Sequence, residues 1–154
     1  IGAWAAVDGK RPVLAVTGDG GFGQYMAEVT TAVRHEMNIT HLLLNNGQLG
    51  KISNEQRAGA WDVWQTQLHN PDFSKYAELC GALGLRVTES GQLDGAFERA
   101  LAHDGPAMVE VVADENRGDA LVAQQVARFR SESSKKALLA VRTSSPARCS
   151  SPAH

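Results

Sequence analysis

A short apolar run that ends abruptly in a cluster of glycines constrains this chain more than any other feature. Residues 12–17 read Pro-Val-Leu-Ala-Val-Thr, and Gly18-Asp19-Gly20-Gly21-Phe22-Gly23 follows at once. A run of that length bounded by glycines suits a strand buried on both faces. Residues 23–36 then place Met26, Val29 and Val33 at spacings of three and four, which predicts an amphipathic helix. The cycle repeats. Residues 39–44 are a second apolar run, closed by Asn45-Asn46-Gly47. Asn70 and Pro71 predict a helix start, as N-cap and first helical residue, with Phe73, Tyr76, Ala77 and Cys80 on the buried face. Residues 85–88 form a third predicted strand, Ser90 caps a predicted helix running to His103, and residues 106–112 form a fourth strand. Strand alternating with helix at this spacing builds βαβ units. The expected class is α/β, a doubly wound and mainly parallel sheet with helices on both faces. Such sheets bind ligands outside the carboxyl ends of their strands.

Composition narrows the function classes. A length of 154 residues with 43% hydrophobic content suits one domain with one core. No stretch approaches the roughly 18 apolar residues a membrane span needs. Two cysteines, Cys80 and Cys149, exclude a disulfide scaffold and a multi-cysteine zinc module. A formal charge of −2 argues against a dedicated nucleic-acid binder. No signal peptide is visible, so a cytoplasmic location is the expectation. Charge also divides the chain. Residues 1–114 hold eight bases and 14 acids, whereas residues 115–154 hold seven bases and three acids, with seven of the ten serines and only Phe129 among the nine aromatics. Residues 1–114 are therefore the expected domain, and residues 115–154 a tail of short helices followed by disorder.

The glycine cluster admits two chemistries. Gly18, Gly20 and Gly23 formally fit G-x-G-x-x-G, the dinucleotide fingerprint. That pattern expects an acid at the end of the next strand to hold a ribose hydroxyl, and this chain has Asn45 and Asn46 there. Asp19 inside the turn would also repel a pyrophosphate unless a cation lay between them. A carboxylate after one strand and an amide oxygen after its neighbour can instead converge on one Mg²⁺, a cation that prefers hard oxygen ligands and often shares them with phosphates. Asp19 and Asn46, each just past a strand, meet that requirement.

Gly18-Asp19-Gly20, then 24 residues, then Asn45-Asn46 resembles the thiamine-diphosphate motif. The flanking Leu-Leu-Leu-Asn-Asn-Gly-Gln-Leu-Gly around Asn45, the segment from Asp72 to Gly81, and Asp104-Gly105-Pro106 are similar to pyruvate oxidases and acetolactate-synthase-like enzymes. Ile1-Gly2-Ala3 resembles the end of a segment inside that family's cofactor domain. The resemblance therefore implies a thiamine-diphosphate-binding (PP) domain truncated at its amino terminus, and a gene fragment more than a natural split subunit.

Carried onto matching positions, the resemblance makes Asp19, the Asn46 side chain and the Gln48 backbone carbonyl the Mg²⁺ ligands. Gly18, Gly20 and Gly21 would line the diphosphate, and Gly47, Gln48, Leu49 and Gly50 would wrap its other side. Lys51 and Ile52 fall where the family's chain passes the thiazolium and the substrate. The implied reaction class is decarboxylation of pyruvate or another 2-oxo acid by an oxidase or synthase. The cofactor-activating glutamate would come from a separate pyrimidine-binding domain, so this chain carries no catalytic residue of its own and is expected to be inactive alone. FAD could enter only through a domain that is absent, and the family is usually oligomeric. The alternatives are a noncatalytic nucleotide-binding α/β module or a degenerate fragment. Asp-Gly and Asn-Gly are ordinary turn formers when isolated. Trp61 with Trp64 and His35 with Asn38 read as helical packing pairs. The five histidines show no metal spacing, Cys80 reads as core, and no nucleophile–His–acid constellation is legible.

Overall fold

The computed structural model describes residues 1–113. The expectations for the tail lie outside them. Four strands, β1 (Val13–Gly18), β2 (Ile39–Asn45), β3 (Leu83–Val87) and β4 (Ala107–Val112), form one sheet in the order β1-β2-β4-β3. Every pairing is parallel. The helices are α1 (Gly2–Ala6), α2 (Asp19–Gly23), α3 (Glu28–Arg34), α4 (Gly50–Ala58), α5 (Phe73–Leu79) and α6 (Leu93–Ala102).

Strand register explains why helices cover both faces. Side chains alternate along each strand, so Ala15, His41 and Met108 share one face, while Leu42, Val109 and Leu85 share the other. On the first face Leu43 and Met108 pack with Phe22 of α2 and with Phe73 and Ala77 of α5, all buried. Phe22 and Phe73 meet edge-on with centroids 5.4 Å apart, a favoured aromatic geometry. Nearby, Ala32, Met37 and Ile39 close a second cluster with Trp4, Val13 and Ala15. The other face is covered over β3 and β4 by α6, which buries Leu93, Phe97 and Ala100.

Helix boundaries depart from the sequence reading in instructive ways. The helix expected over residues 23–36 is shortened to α3; residues 24–27 form a turn after α2, held by i→i+3 bonds such as Glu28 N–H to Tyr25 O at 2.9 Å. Met26 and Val29 still pack against the core. The N-cap of α5 is Asp72, not Asn70; its Oδ1 accepts from Lys75 N at 3.0 Å. Tyr76 and Cys80 are half-buried, while Phe73 and Ala77 are fully buried. Glu89 takes the capping role expected of Ser90, in a capping box with Gln92 that opens a short 3₁₀ turn before α6. Helix α4 is unanticipated, because its only large apolar side chain is Ile52 and it buries only Ser53, leaving no apolar stripe to read. Trp61 and Trp64 are not a helical packing pair. They follow α4 in irregular chain and are each 71% exposed.

One close approach sets how α5 lies on the sheet. An added Cβ at Gly84 in β3 would collide with the Ser74 carbonyl and stand 2.8 Å from Glu78 Cγ. We expect Gly84→Ala to destabilise the chain by about 2–3 kcal/mol through overpacking, read by urea unfolding. A loss below about 0.5 kcal/mol would show that α5 is free to lift.

Candidate functional site

At the carboxyl end of β1 the extended backbone of Gly18 turns directly into α2, which brings Asp19 into the protein with only 3% of its surface exposed. Asp19 Oδ2 accepts from Gly47 N at 2.8 Å and from Asn70 Nδ2 at 2.7 Å, and Oδ1 accepts from Gly20 N at 2.9 Å. The two segments singled out in the sequence therefore meet, one from the end of β1 and one from the end of β2. Gly20 is what lets them close. A Cβ there would lie 2.5 Å from Leu49 Cδ2 and 3.3 Å from Leu68 Cδ1. Gly18 and Gly21 are different, since a Cβ on either would meet nothing within 4 Å. Packing within the chain does not demand those two glycines.

The second segment is a shaped turn. Asn46 Oδ1 accepts from Gln48 N at 3.2 Å, an Asx turn, and Gly47 sits at φ +71°, where glycine avoids the Cβ penalty. The Gln48 carbonyl accepts from Gly50 N at 2.9 Å. Its buried side chain accepts from Ser53 Oγ at 2.9 Å, tying the turn to α4. Leu49 N donates to Thr66 O and Leu68 N to Gly47 O, both at 2.8 Å, so residues 66–68 brace the turn from outside. Thr66 Oγ1 is buried there without a hydrogen-bond partner.

Sequence reasoning missed the supporting residues. Asn70 Nδ2 donates to Asn45 Oδ1 at 2.9 Å as well as to Asp19, and Asn45 Nδ2 donates to Glu110 Oε1 at 2.7 Å. Of the two asparagines it is thus Asn45 that joins the network around Asp19. Glu110, fully buried in β4, also accepts from Ser74 N at 3.0 Å and from Arg86 Nη1 at 3.0 and 3.1 Å. Arg86 reaches Asp72 Oδ2 at 3.3 Å. Burial alone would raise the Asp72 carboxyl. Hydrogen bonds from Ser74 Oγ and Lys75 N, with the Arg86 and Lys75 charges, outweigh it and hold the group at about 2. A signal for this network was present. Glu110 and Arg86 are lone charges inside apolar strands, and a buried charge demands a partner.

His41, one of the histidines given no role, faces an apolar cavity of about 470 Å³ with Thr17, Phe22, Tyr25 and Ile39. That cavity holds none of Asp19, Asn46 or Gln48. His41 Nε2 and Thr17 Oγ1 are 2.7 Å apart, and Phe22 meets the imidazole edge-on at 4.9 Å. Among the described residues no three His, Cys, Asp or Glu side chains gather into a metal-ligating group. A hard cation held by one carboxylate and amide oxygens needs no such group.

Comparison with known proteins identifies the family. Residues 1–111 match the family model described as thiamine pyrophosphate enzyme, C-terminal TPP binding domain. The chain belongs to that family. It is 42% identical over 103 residues to YdaP of Bacillus subtilis (strain 168), provisionally named a thiamine pyrophosphate-containing protein, covering 67% of this chain and 18% of that one. It is 33% identical over 124 residues to the catabolic acetolactate synthase of Raoultella terrigena, covering 80% of this chain and 22% of the relative. Among solved structures, a thiamine diphosphate-dependent 4-hydroxybenzoylformate decarboxylase of Rhodococcus jostii RHA1 superposes with a TM-score of 0.64 at 25% identity, over 68% of this chain and 20% of its own. The chain thus spans about a fifth of the length of the curated relatives it matches. The expected α/β class with a parallel sheet is the observed one, and no helix among the described residues is long and apolar enough to cross a membrane.

Burial pushes the His41 imidazole down to about 4, with the positive amino terminus adding to the shift. The unfolded chain then binds the extra proton between pH 6.5 and 4, so His41 supplies stability above pH 6.5 that is lost as pH falls through this window. We expect the stability advantage of the native chain over His41→Gln to shrink by roughly 2–3 kcal/mol from pH 7 to pH 4. Parallel stability curves for the two proteins would show that the imidazole is not desolvated.

Proposed function

We propose that this chain binds thiamine diphosphate together with Mg²⁺ at the carboxyl ends of β1 and β2, as the diphosphate-binding part of an enzyme acting on pyruvate or a related 2-oxo acid. One contrast carries the reading. The Glu110 carboxylate is buried beside a guanidinium, whereas the Asp19 carboxylate, equally withdrawn from water, has no cationic side chain as partner among the described residues. Buried charge is normally paired or coordinates a metal. A divalent cation supplies the missing charge.

The donor chemistry fits. A carboxylate offers about four lone-pair sites, and Asp19 uses three of them, two on Oδ2 and one on Oδ1. Asp19, the Asn46 side-chain oxygen and the Gln48 carbonyl are all hard oxygen donors, which suits Mg²⁺. Gly18, Gly20 and Gly21 let the backbone approach the diphosphate, with the turn from Gly47 through Gln48 and Leu49 to Gly50 on its other side. When bound, thiamine diphosphate supplies an acidic thiazolium carbon and an electron sink for decarboxylation. The residues of this chain anchor and orient. A glutamate from a pyrimidine-binding domain, on another chain or on another part of a longer one, completes the site, so turnover by this chain alone is expected to be absent. Residues 1–114 are the part we assign to the cofactor, and FAD, where used, would sit on a different domain. The half-buried free thiol of Cys80 suits a reducing cytoplasm.

The partner surface is supported by Trp61, Val63 and Trp64, which are 71%, 41% and 71% exposed. Gln56 clamps the Trp64 backbone through two 3.1 Å bonds, and Ala60 and Gln65 adopt positive φ on either side. Exposed aromatic clusters on an ordered segment are typical of protein contacts.

Calorimetric titration of thiamine diphosphate into the full chain tests the reading. Saturable binding is expected with Mg²⁺ and not with EDTA, and Asp19→Ala should reduce affinity at least 100-fold, about 2.7 kcal/mol. Binding indifferent to EDTA would instead favour a metal-free nucleotide module. A cooperatively folded chain that binds nothing would leave only a remnant of the family.

A further inference from the structure

We infer that Asn70 and Glu110 are positioning residues for the cation, acting on Asp19 through a relay of side-chain amides with one fixed direction. The inference rests on the proposed Mg²⁺ and thiamine diphosphate site and adds two residues to it. The relay starts where ambiguity is lowest. Glu110 is a carboxylate, which only accepts when ionised, and it already accepts from Ser74 N and the Arg86 guanidinium. Asn45 must therefore turn its NH₂ toward Glu110, across the 2.7 Å contact, and its oxygen toward Asn70. That oxygen can only accept, so Asn70 must present its own NH₂. The second hydrogen of the same Asn70 nitrogen then points to Asp19 Oδ2 at 2.7 Å.

Three side chains and one backbone N–H are locked in sequence. Gly47 N donates to both Asp19 Oδ2 at 2.8 Å and Asn45 Oδ1 at 3.3 Å, closing the loop from the other side. The consequence for Asp19 is an asymmetric carboxylate. Oδ2 is filled by two donors, and Oδ1, with Gly20 N alone, keeps the lone pair that can face a cation. Neither Asn70 nor Glu110 offers that cation a bond of its own. They decide which Asp19 oxygen is available and hold it still, as outer partners do for metal ligands generally.

Reversing the relay is possible without deleting an atom of the site. In Glu110→Gln the new NH₂ can face Asn45, whose amide then flips and points its NH₂ at Asn70 and at Gly47 N–H, donor against donor. Asn70→Ala breaks the same chain one link further on. Because both changes act through one path, their effects on the cation should not add.

The experiment titrates thiamine diphosphate into the full chain at a series of Mg²⁺ concentrations, for the native protein, each single variant and the double variant, with thermal unfolding of each recorded alongside. The expected result is a Mg²⁺ midpoint raised on the order of tenfold in each single variant. The double variant should resemble the worse single variant, and thiamine diphosphate affinity at saturating Mg²⁺ should stay within about twofold of native. Unshifted Mg²⁺ midpoints in folded variants overturn the inference, and so do midpoint shifts that multiply in the double variant. If Glu110→Gln fails to fold, Asn70→Ala decides alone, since it leaves the Glu110–Arg86 pair intact. Mg²⁺-dependent binding by the native chain with unaltered variants sinks the relay and spares the proposed function. Metal-independent binding by the native chain sinks both.

Discussion

The ion pair between Glu110 and Arg86 is the interaction on which the rest of this structure depends. It joins the centre of β4 to the edge strand β3 in register, and the same carboxylate receives the first turn of α5 through Ser74 N and the end of β2 through Asn45. Taking the Glu110 charge out of water costs several kcal/mol, although Arg86, with 37% of its side chain exposed, stays partly hydrated. The expense is tolerable only because all of these donors converge. Three elements are thereby held at fixed positions relative to one strand. The carboxyl ends of β1 and β2, where the candidate site lies, inherit that precision through Asn45.

Two glycines then determine how closely the layers approach. Gly84 lets α5 settle against β3 at the Ser74 carbonyl, and Gly20 lets the turn after β1 meet Leu49 in the turn after β2. Both act by having no side chain, and neither needs an unusual backbone angle. Gly47 is the converse case, with φ at +71° and open space around it. A glycine in this chain can thus serve packing or conformation, and the sequence alone does not tell which.

What was legible in the sequence was whatever depends on periodicity and local chemistry. The four strands were placed to within two residues because an apolar run between turn formers has few other fates. The meeting of Asp19 with the Asn45–Gly50 turn was legible as well, since adjacent parallel strands bring their carboxyl ends together. What stayed hidden depends on tertiary competition. Asn70 is a good N-cap by type, but its side chain is held at the site by its bonds to Asp19 and Asn45, and Asp72, two residues on, caps α5 instead. Helix α4 is stabilised at its start by the buried Ser53–Gln48 bond, a contact no hydrophobic pattern announces. Glu110 was visible as an acid in an apolar strand, yet only the strand order β2-β4-β3 reveals that Asn45 and Arg86 are its partners.

The two most buried carboxylates among the described residues are treated in opposite ways, and the difference bears on what each is for. Glu110 is compensated within the fold, so its contribution is complete as soon as the chain folds. Asp19 is met only by neutral N–H donors, which orient the group without cancelling its charge. A fold selected for stability alone would place a lysine or arginine nearby, or replace the acid by an uncharged residue of similar volume. On the proposed reading, a cation bound at Asp19 would stabilise the folded chain by RT ln(1 + [L]/Kd), about 2.7 kcal/mol at a hundredfold excess over Kd. The proposed cofactor loading would then be linked to stability through one side chain, which the hydrogen bonds from Asn70 and Gly47 hold in place.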